Sequence, residues 1–351
     1  MFNIEELLTQ AKELRASDLH LCCGLPPKLR IDGSIRSLGE ERLTEEDCRQ
    51  LATALLGSSF SDLGSVGEYD RGASICGIRV RINVFLQQRK PSAAIRLLAD
   101  HIPQLEELQL PPAVSRFAAF RQGLVLVTGE TGSGKSTTLS AILQRINETR
   151  DAHILTLEDP IEYVYTPDRA LINQREIGID TASYASGLRA ALREDPDVIL
   201  IGEMRDLDTI ETALTAAETG HLVFATLHTN SATETIDRIV GVFPAERQMQ
   251  IRVQLSSMLK AVLSQQLLVR AGGKGRIAAC ELMMMNTALA NLVREGKTSQ
   301  MQSFLLSGTE EGSLVMDNHL LRLVRAGKIL PETALEAARD PEQLKRRISF
   351  S

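Results

Sequence analysis

Features that mark membrane and secreted proteins are missing from this 351-residue sequence. No stretch approaches the roughly 18 apolar residues that a membrane-spanning helix needs. The first six residues, Met1 to Glu6, are acidic and amphipathic, and they lack the basic start and apolar run of a secretory signal peptide. We therefore expect a cytoplasmic protein.

Cysteine is scarce, and its pattern disfavours both disulfide frameworks and zinc sites. The chain has five cysteines, with neither a Cys-x-x-Cys pair nor a cluster of histidine and cysteine: Cys22, Cys23, Cys48, Cys76 and Cys280. Structural zinc sites need such clusters, so we expect no zinc. An odd number of scattered cysteines fits a reducing compartment.

A basic excess is also missing, because the net charge is -6 and aromatic residues make up only 4% of the chain. Nucleic-acid-binding proteins usually carry a basic patch, and single-strand binders add aromatic stacking platforms. We therefore expect no nucleic acid as partner. The same observations disfavour a RecA-like nucleic-acid translocase. The hydrophobic content of 43% is sufficient for packed cores, and the length predicts roughly two or three domains.

Residues 1–98 show the mixed pattern of a small α/β domain. Apolar spacing predicts a helix over 44–56, and Asp32-Gly33 is typical of a two-residue hairpin turn. Alternating apolar residues over 68–98 predict an antiparallel sheet. The proline-containing stretch 99–112 follows and predicts a linker.

A different pattern begins at residue 113. Short, continuous apolar runs alternate with helical segments, as expected for strands buried on both faces of a parallel sheet. These runs are 124–127, 154–157, 198–201 and 222–225. We predict an α/β core over 113–270 and, from helical spacing, a C-terminal helical region over 271–351.

The segment Gly-Glu-Thr-Gly-Ser-Gly-Lys-Ser at 129–136 matches the phosphate-loop pattern G-x-x-x-x-G-K-[ST] between a predicted strand and a predicted helix. Glycines let backbone N–H groups close around phosphate oxygens, and the helix N-terminus favours negative charge. Lys135 can reach the β- and γ-phosphates, and Ser136 can ligate Mg²⁺. The pattern predicts an ATPase that needs ATP and Mg²⁺. Its predicted nucleotide contacts are Gly129, Glu130, Thr131, Gly132, Ser133, Gly134, Lys135, Ser136 and Thr137.

Carboxylates follow two of the other buried runs. Glu158 and Asp159 close the second run, at the end of a parallel strand where ligands bind. We predict that they hold Mg²⁺, partly through water, or orient the attacking water. Glu203 closes the third run, and the residue before it is glycine rather than aspartate. Glu203 is therefore predicted to polarise the water alone.

Two histidines and two arginines are further candidates. His221 and His228 bracket the fourth run, and a structural pair and a sensor of the phosphate site fit this pattern equally well. Arg81 and Arg96 interrupt apolar strand patterns in the N-terminal domain. Arginine suits phosphate oxygens, although a solvent-facing strand arginine is the alternative interpretation.

Together these motifs resemble the type II/type IV secretion ATPase superfamily and, within it, the type IV pilus retraction ATPases. Besides the phosphate loop, the resemblance rests on 156–163, 188–199, 202–206 and 226–232. It extends to 16–21 and 268–281, and so covers nearly the whole chain.

The resemblance implies a homohexameric ring in which each subunit has a PAS-like N-terminal α/β domain and a RecA-like ATPase domain with C-terminal helices. ATP would lie between these two domains of a subunit. Carried onto matching positions, the family's residues are catalytic Glu203, Glu162 and His228 and nucleotide-binding Arg81, Arg96 and His221. The implied partners are an inner-membrane pilus platform protein and other pilus motor ATPases, met at the inner face of the cytoplasmic membrane.

Assembly ATPases of the superfamily carry a long N-terminal extension and a four-cysteine zinc insert, and this sequence has neither. The resemblance therefore favours a motor for pilus retraction and twitching motility. An accessory, assembly or secretion ATPase of the same superfamily is the alternative. A nucleotide-gated assembly protein with little turnover is a third interpretation, which the intact Glu203 disfavours.

Overall fold

The computed structural model describes residues 2–31, 34–98, 101–307 and 312–349. It divides into two compact units: Met1–His101 with Pro160–Tyr163, and Ile102–Asp159 with Val164–Ser351. The predicted turn at Asp32-Gly33 lies outside the described residues. None of the helices in these ranges is long and apolar enough to span a membrane.

The N-terminal unit contains a six-stranded antiparallel sheet in the order β3-β2-β1-β6-β5-β4. Its strands are β1 (Asp18–Leu21), β2 (Lys28–Ile31), β3 (Ser34–Ser37), β4 (Glu68–Ile75), β5 (Ile78–Gln87) and β6 (Lys90–Leu97). Its helices are α1 (Ile4–Glu13), α2 (Glu45–Leu56) and α3 (Leu63–Val66).

Local sequence explains the elements of this unit. α2 begins after Thr44, which forms a capping box with Asp47, and ends at Gly57 with a φ of +59°. Burial alternates along β5, so Val80 and Ile82 enter the core while Arg81 lies on the other face. The predicted α/β character of this half is confirmed.

The second unit contains a seven-stranded sheet in the order β13-β12-β7-β11-β10-β8-β9. Its strands are β7 (Gly123–Thr128), β8 (His153–Glu158), β9 (Leu171–Glu176), β10 (Val198–Ile201), β11 (Leu222–Leu227), β12 (Leu259–Val269) and β13 (Arg276–Met284). Its helices are α4 (Lys135–Thr149), α5 (Tyr184–Ala191), α6 (Leu207–Glu218), α7 (Ala232–Gly241), α8 (Ala245–Met258), α9 (Thr287–Glu295), α10 (Thr298–Ser307), α11 (Met316–Arg325), α12 (Pro331–Ala337) and α13 (Pro341–Ser349).

All neighbouring strands except β12 and β13 run parallel. Every residue of β7, β10 and β11 is buried, and their side chains alternate between two hydrophobic clusters. Leu124 and Leu126 enter one cluster, and Val125 and Val127 the other. Burial on both faces is the reason that these strands read as continuous apolar runs.

The strand β13 lies within the region that we predicted to be helical from residue 271 onward. It pairs with β12 over nine residues, from Arg276 to Met284, and thereby extends the main sheet. Helices α11 to α13 pack against its outer side through a separate cluster around Ile277 and Leu320. Those later helices match the predicted helical spacing.

Candidate active site

The phosphate loop joins β7 to α4 along a backbone path that requires glycine. Gly129, Gly132 and Gly134 have φ angles of +140°, +82° and +90°, values that residues with a Cβ rarely adopt. A Cβ on Gly129 would also lie 2.2 Å from the carbonyl oxygen of Gln265 and 2.6 Å from Ser133 Oγ. The loop therefore has the backbone form that the sequence motif predicts.

Lys135, the first residue of α4, reaches back into this loop. Its Nζ donates to the carbonyl oxygens of Gly129, at 2.7 Å, and Glu130, at 2.9 Å. Only 9% of Lys135 is exposed, so the loop already confines a cation. Ser133 Oγ is buried and has no hydrogen-bond partner among the described residues. Both features fit a phosphate group, which accepts several hydrogen bonds at once.

The start of α4 also suits an anion and its metal ion. Gly134 is the N-cap residue and offers no side-chain cap, so the first N–H groups of α4 remain suited to an anion. Ser136 and Thr137 follow in the first turn and are half-buried. In the described ranges no three His, Cys, Asp or Glu side chains are arranged to hold a metal.

The other predicted site residues of this unit gather at the same edge of the sheet. Strands β7, β8, β10 and β11 run parallel and in register, so their carboxyl ends meet at one edge, where ligands bind in such sheets. β7 leads into the phosphate loop, and β8 ends at Glu158 and is followed by Asp159. β10 is followed by Glu203 after one glycine, and β11 is followed directly by His228.

Glu203 is held by the side chains of His228 and Arg205. His228 Nε2 lies 3.1 Å from Glu203 Oε1, and a nitrogen of Arg205 lies 2.7 Å from Oε2. Burial by itself would raise the pKa of Glu203, but the hydrogen bond from Arg205 and the charges of His228 and Arg205 together lower it. Glu203 is therefore a carboxylate near neutral pH, as a residue that orients or polarises water must be.

Glu158 is fixed by its neighbours on the sheet. Thr156 Oγ1 donates to Glu158 Oε1 at 2.7 Å, and Gln174 Nε2 donates to the same oxygen at 3.0 Å. The carboxylate is thus oriented before any ligand arrives, in keeping with a second-sphere role toward Mg²⁺-bound water.

Tyr184, at the start of α5, is a residue of this site that the sequence analysis did not identify. Its hydroxyl oxygen would lie 2.9 Å from a Cβ on Gly202. Burial and the negative charges of Asp159 and Glu203 raise its pKa, so the hydroxyl keeps its proton and can donate a hydrogen bond. The glycine before Glu203 was the available signal, because it indicates that something else occupies that space.

A small cleft of about 150 Å³ lies beside the phosphate loop. It borders Gly134 and Thr137 and is lined by apolar side chains, among them Leu108, Leu267 and Ile277. The cleft is also lined by the charged residues Glu107, Arg270 and Arg276, and its apolar part suits a flat ring. These side chains come from four separate segments, so no local motif marks them.

His221 does not join this cluster within its own chain. It precedes β11, whereas His228 follows it, and six residues of strand span about 20 Å. His221 Nδ1 lies 3.0 Å from the carbonyl oxygen of Ala216 and 3.2 Å from Thr219 Oγ1. In this chain His221 therefore contacts the end of α6, and its role in nucleotide binding stays a prediction.

The two candidate arginines lie in the N-terminal unit, directly opposite each other on β5 and β6. Arg81 makes three hydrogen bonds to the carboxylate of Asp70, the shortest at 2.6 Å, and Arg96 Nε lies 3.0 Å from Asp18 Oδ1. All four side chains line a polar cleft of about 260 Å³. Paired arginines on one sheet face are suited to anionic groups.

Glu162 belongs to the segment Pro160–Tyr163, which the structure groups with the N-terminal unit. The backbone of this segment is held there by Arg79, whose Nε donates to the carbonyl oxygen of Ile161 at 3.4 Å. Asp159, one residue earlier, belongs to the other unit. The predicted carboxylate motif at 158–162 is therefore shared between the two units.

Comparison with known proteins identifies the family. Residues 77–290 match the model of the type II/IV secretion system protein family. The chain belongs to this family. It is 46% identical to the type IV pilus retraction ATPase PilT of Pseudomonas aeruginosa, over 97% of this chain and 99% of that protein.

Two further comparisons agree. The type IV pilus ATPase PilU of the same organism is 36% identical, over 99% of this chain and 91% of its own. A crystal structure of the pilus retraction motor PilT with bound ADP superposes with a TM-score of 0.92 at 47% identity, covering 99% of this chain and 100% of that one. The predicted family, the α/β fold class and the assignment as an ATPase are confirmed.

Proposed function

We propose that this chain is the ATP-hydrolysing subunit of a hexameric motor that retracts type IV pili and so drives twitching motility. The main support for this proposal is that four parallel strands end at the same edge of the sheet. The phosphate loop, Glu158, Glu203 and His228 lie at the ends of these strands. The 46% identity to the pilus retraction ATPase PilT, over nearly the whole length of both chains, favours retraction.

In this mechanism the protein's first act is to exchange hydrogen bonds within the phosphate loop. Lys135 leaves the carbonyl oxygens of Gly129 and Glu130, 2.7 and 2.9 Å away, and turns to the β- and γ-phosphates. Ser136 would hold Mg²⁺, with Glu158 and Asp159 orienting its waters. Bound Mg²⁺ neutralises part of the charge that develops on the phosphates.

Glu203 then orients the attacking water toward the γ-phosphate. His228 holds one oxygen of Glu203 at 3.1 Å and keeps the carboxylate aimed at the phosphate side. Arg205, bound to the other oxygen at 2.7 Å, must yield part of that bond for Glu203 to accept a water proton. His228 is thus a positioning residue, and Glu203 is the catalytic one.

The N-terminal unit supplies the response to the nucleotide. Arg81 and Arg96, which are paired with Asp70 and Asp18, are proposed to exchange these carboxylates for phosphate oxygens, with Glu162 assisting. Loss of the γ-phosphate would reverse the exchange and let the units move, which is an established way to convert hydrolysis into motion.

The proposed partners are five further copies of this chain, an inner-membrane pilus platform protein and other pilus motor ATPases. Docking on the platform would place the ring at the cytoplasmic face of the inner membrane. Arg81 and Arg96, which lie opposite each other on β5 and β6, support a nucleotide-dependent role for the N-terminal unit.

The test measures ATP hydrolysis and particle mass for the wild type beside Glu203→Gln and Lys135→Ala. We expect Mg²⁺-dependent turnover by a hexamer, nucleotide binding without turnover in Glu203→Gln, and no binding in Lys135→Ala. Glu211→Gln is the matched control, since Glu211 pairs with Arg247 on the surface. Normal turnover in Glu203→Gln would overturn the assignment.

The cellular role is tested by complementing a retraction-deficient strain. Wild-type and Glu211→Gln chains should restore twitching, whereas Glu203→Gln should not. An active ATPase that fails in this strain but restores pili to an extension-deficient strain would contradict the proposed direction.

A further inference from the structure

A buried carboxylate connects the C-terminal helices to the turn that follows His228. Glu281, on β13, is fully buried, and its Oε1 accepts a hydrogen bond from the backbone N–H of Ala232 at 2.9 Å. Ala232 is the first residue of α7, and only Thr229, Asn230 and Ser231 separate it from His228.

The same oxygen of Glu281 is bound by Arg339. A guanidinium nitrogen of Arg339 lies 2.9 Å from Glu281 Oε1 and 3.4 Å from the carbonyl oxygen of Asn230. Arg339 thus contacts both the carboxylate and the turn itself. Glu281 Oε2 is buried without a hydrogen-bond partner among the described residues, so this carboxylate depends on Arg339 for charge compensation.

Arg339 is in turn placed by the C-terminal helices. It lies between α12 and α13, and its backbone N–H donates to Asp317 Oδ1 on α11 at 2.9 Å. The N–H of Asp340 donates to the other oxygen of Asp317 at 3.0 Å. A shift of these helices would therefore move the Arg339 guanidinium relative to the turn at Asn230.

Other hydrogen bonds also hold the turn 229–231, but they connect it to a different part of the fold than Arg339 does. Thr229 Oγ1 lies 2.7 Å from Thr235 Oγ1, and the N–H of Asn230 donates to Glu234 at 2.9 Å. These bonds tie the turn to α7, whereas Glu281 and Arg339 tie α7 and the turn to β13 and the C-terminal helices. His228 can hold Glu203 at 3.1 Å only while this turn keeps its place.

We propose that Arg339 is a positioning residue for ATP hydrolysis, acting through Glu281 and the turn 229–231 on His228, and that it couples the C-terminal helices to the catalytic site. The proposal rests on the proposed role of His228 in holding Glu203. Turnover then depends on the placement of α11 to α13, a part of the chain that contributes no residue to the phosphate loop.

The test is a double-mutant cycle between Arg339 and His228 in the full-length protein. Single-turnover rates keep slow variants measurable, and KM is measured in parallel. We expect Arg339→Ala to lower the rate by about tenfold while KM changes by less than about twofold, and Arg339→Lys to recover most of the loss. In a His228→Ala background the same change should cost less than about twofold, because the residue through which it acts is gone.

Arg346→Ala is the matched control, since Arg346 on α13 is exposed, and its rate should match the wild type. If Arg339→Ala does not fold, Asp317→Asn loosens the same segment, and we expect it to slow turnover by about threefold. In the His228→Ala background, Asp317→Asn should cause no further loss. An equal loss in both backgrounds, or a rise in KM alone, would overturn the coupling. Turnover by Glu203→Gln would instead overturn the proposed function, so the two failures are distinguishable.

Discussion

The hydroxyl oxygen of Tyr184 fills the space that a side chain at position 202 would need. A Cβ on Gly202 would lie 2.9 Å from this oxygen and 3.1 Å from the carbonyl oxygen of Leu157. The glycine that precedes Glu203 is therefore required by packing between β10, β8 and α5. Its presence in place of the usual aspartate leaves Glu203 as the carboxylate of this strand end.

Gly202→Ala tests this packing. We expect it to destabilise the protein by roughly 1–3 kcal/mol, as overpacking commonly does, and to lower turnover by displacing Glu203. Tyr184→Phe removes the hydroxyl and should recover part of the loss in the double variant, with the contact to Leu157 remaining. Gly241→Ala is the control, because a Cβ on Gly241 would have no atom within 4 Å. Thermal unfolding measures the change in stability, and ATPase assays measure the change in turnover. If Gly202→Ala and Gly241→Ala were equally stable and equally active, the packing at Gly202 would not matter.

The glycines of the phosphate loop should differ in tolerance. Gly129→Ala places a methyl group 2.2 Å from the carbonyl oxygen of Gln265, so we expect loss of nucleotide binding. Gly132 has nothing within 4 Å of a Cβ and only a φ of +82° to oppose substitution, a strain of about 1 kcal/mol. Gly132→Ala should therefore retain binding, weakened by less than about tenfold. Titration with a fluorescent ATP analogue compares them, and equal loss in both would refute the ranking.

The sequence sufficed where function follows from local pattern. The phosphate loop, the four buried runs and Glu203 are encoded within short segments, since parallel strands buried on both faces are continuous apolar runs and the loop needs glycine at fixed spacing. The parallel register then brings Glu203 and His228 together without further information.

Long-range packing could not be predicted in this way. Glu281 and Arg339 are 58 positions apart, and no local pattern joins them. His221 and His228 look symmetric in the sequence, but the strand between them separates them to opposite edges of the sheet. Tyr184 approaches Gly202 through the packing of α5, which no spacing rule specifies.

The acid limb of the pH–rate profile should depend on Arg205. Burial opposes ionisation of Glu203, whereas the hydrogen bond from Arg205 and the charge of His228 lower its pKa. Turnover needs the carboxylate, so activity should be lost as pH falls through this lowered pKa. Arg205→Ala removes a cause of the lowering and should shift the acid limb to higher pH. Arg247→Ala, which breaks a surface pair with Glu211, is the control, and an unshifted limb in Arg205→Ala would contradict the pairing.

His319 should make folding stability depend on pH. It is buried on α11, and its Nδ1 accepts a hydrogen bond from the N–H of Cys280 on the edge strand at 2.9 Å. Burial and the charge of Arg322 lower its pKa from 6.5 to about 4. The unfolded chain therefore binds a proton below pH 6.5 that the folded chain refuses, and stability should fall as pH drops from 6.5 toward 4.

A shift of this size corresponds to roughly 3 kcal/mol, which is the most that His319 alone can contribute to the fall in the free energy of unfolding across this pH range. His319→Gln should be less stable than the wild type at pH 7, because it fits the edge-strand N–H less well, yet its stability should vary less between pH 6.5 and 4. His101 is exposed and provides the control variant His101→Gln, which should follow the wild type at every pH. Urea unfolding across this range measures the slope. If the free energy of unfolding of His319→Gln depends on pH as steeply as that of the wild type, other groups cause the dependence. The substitution removes one titrating group, the imidazole of His319.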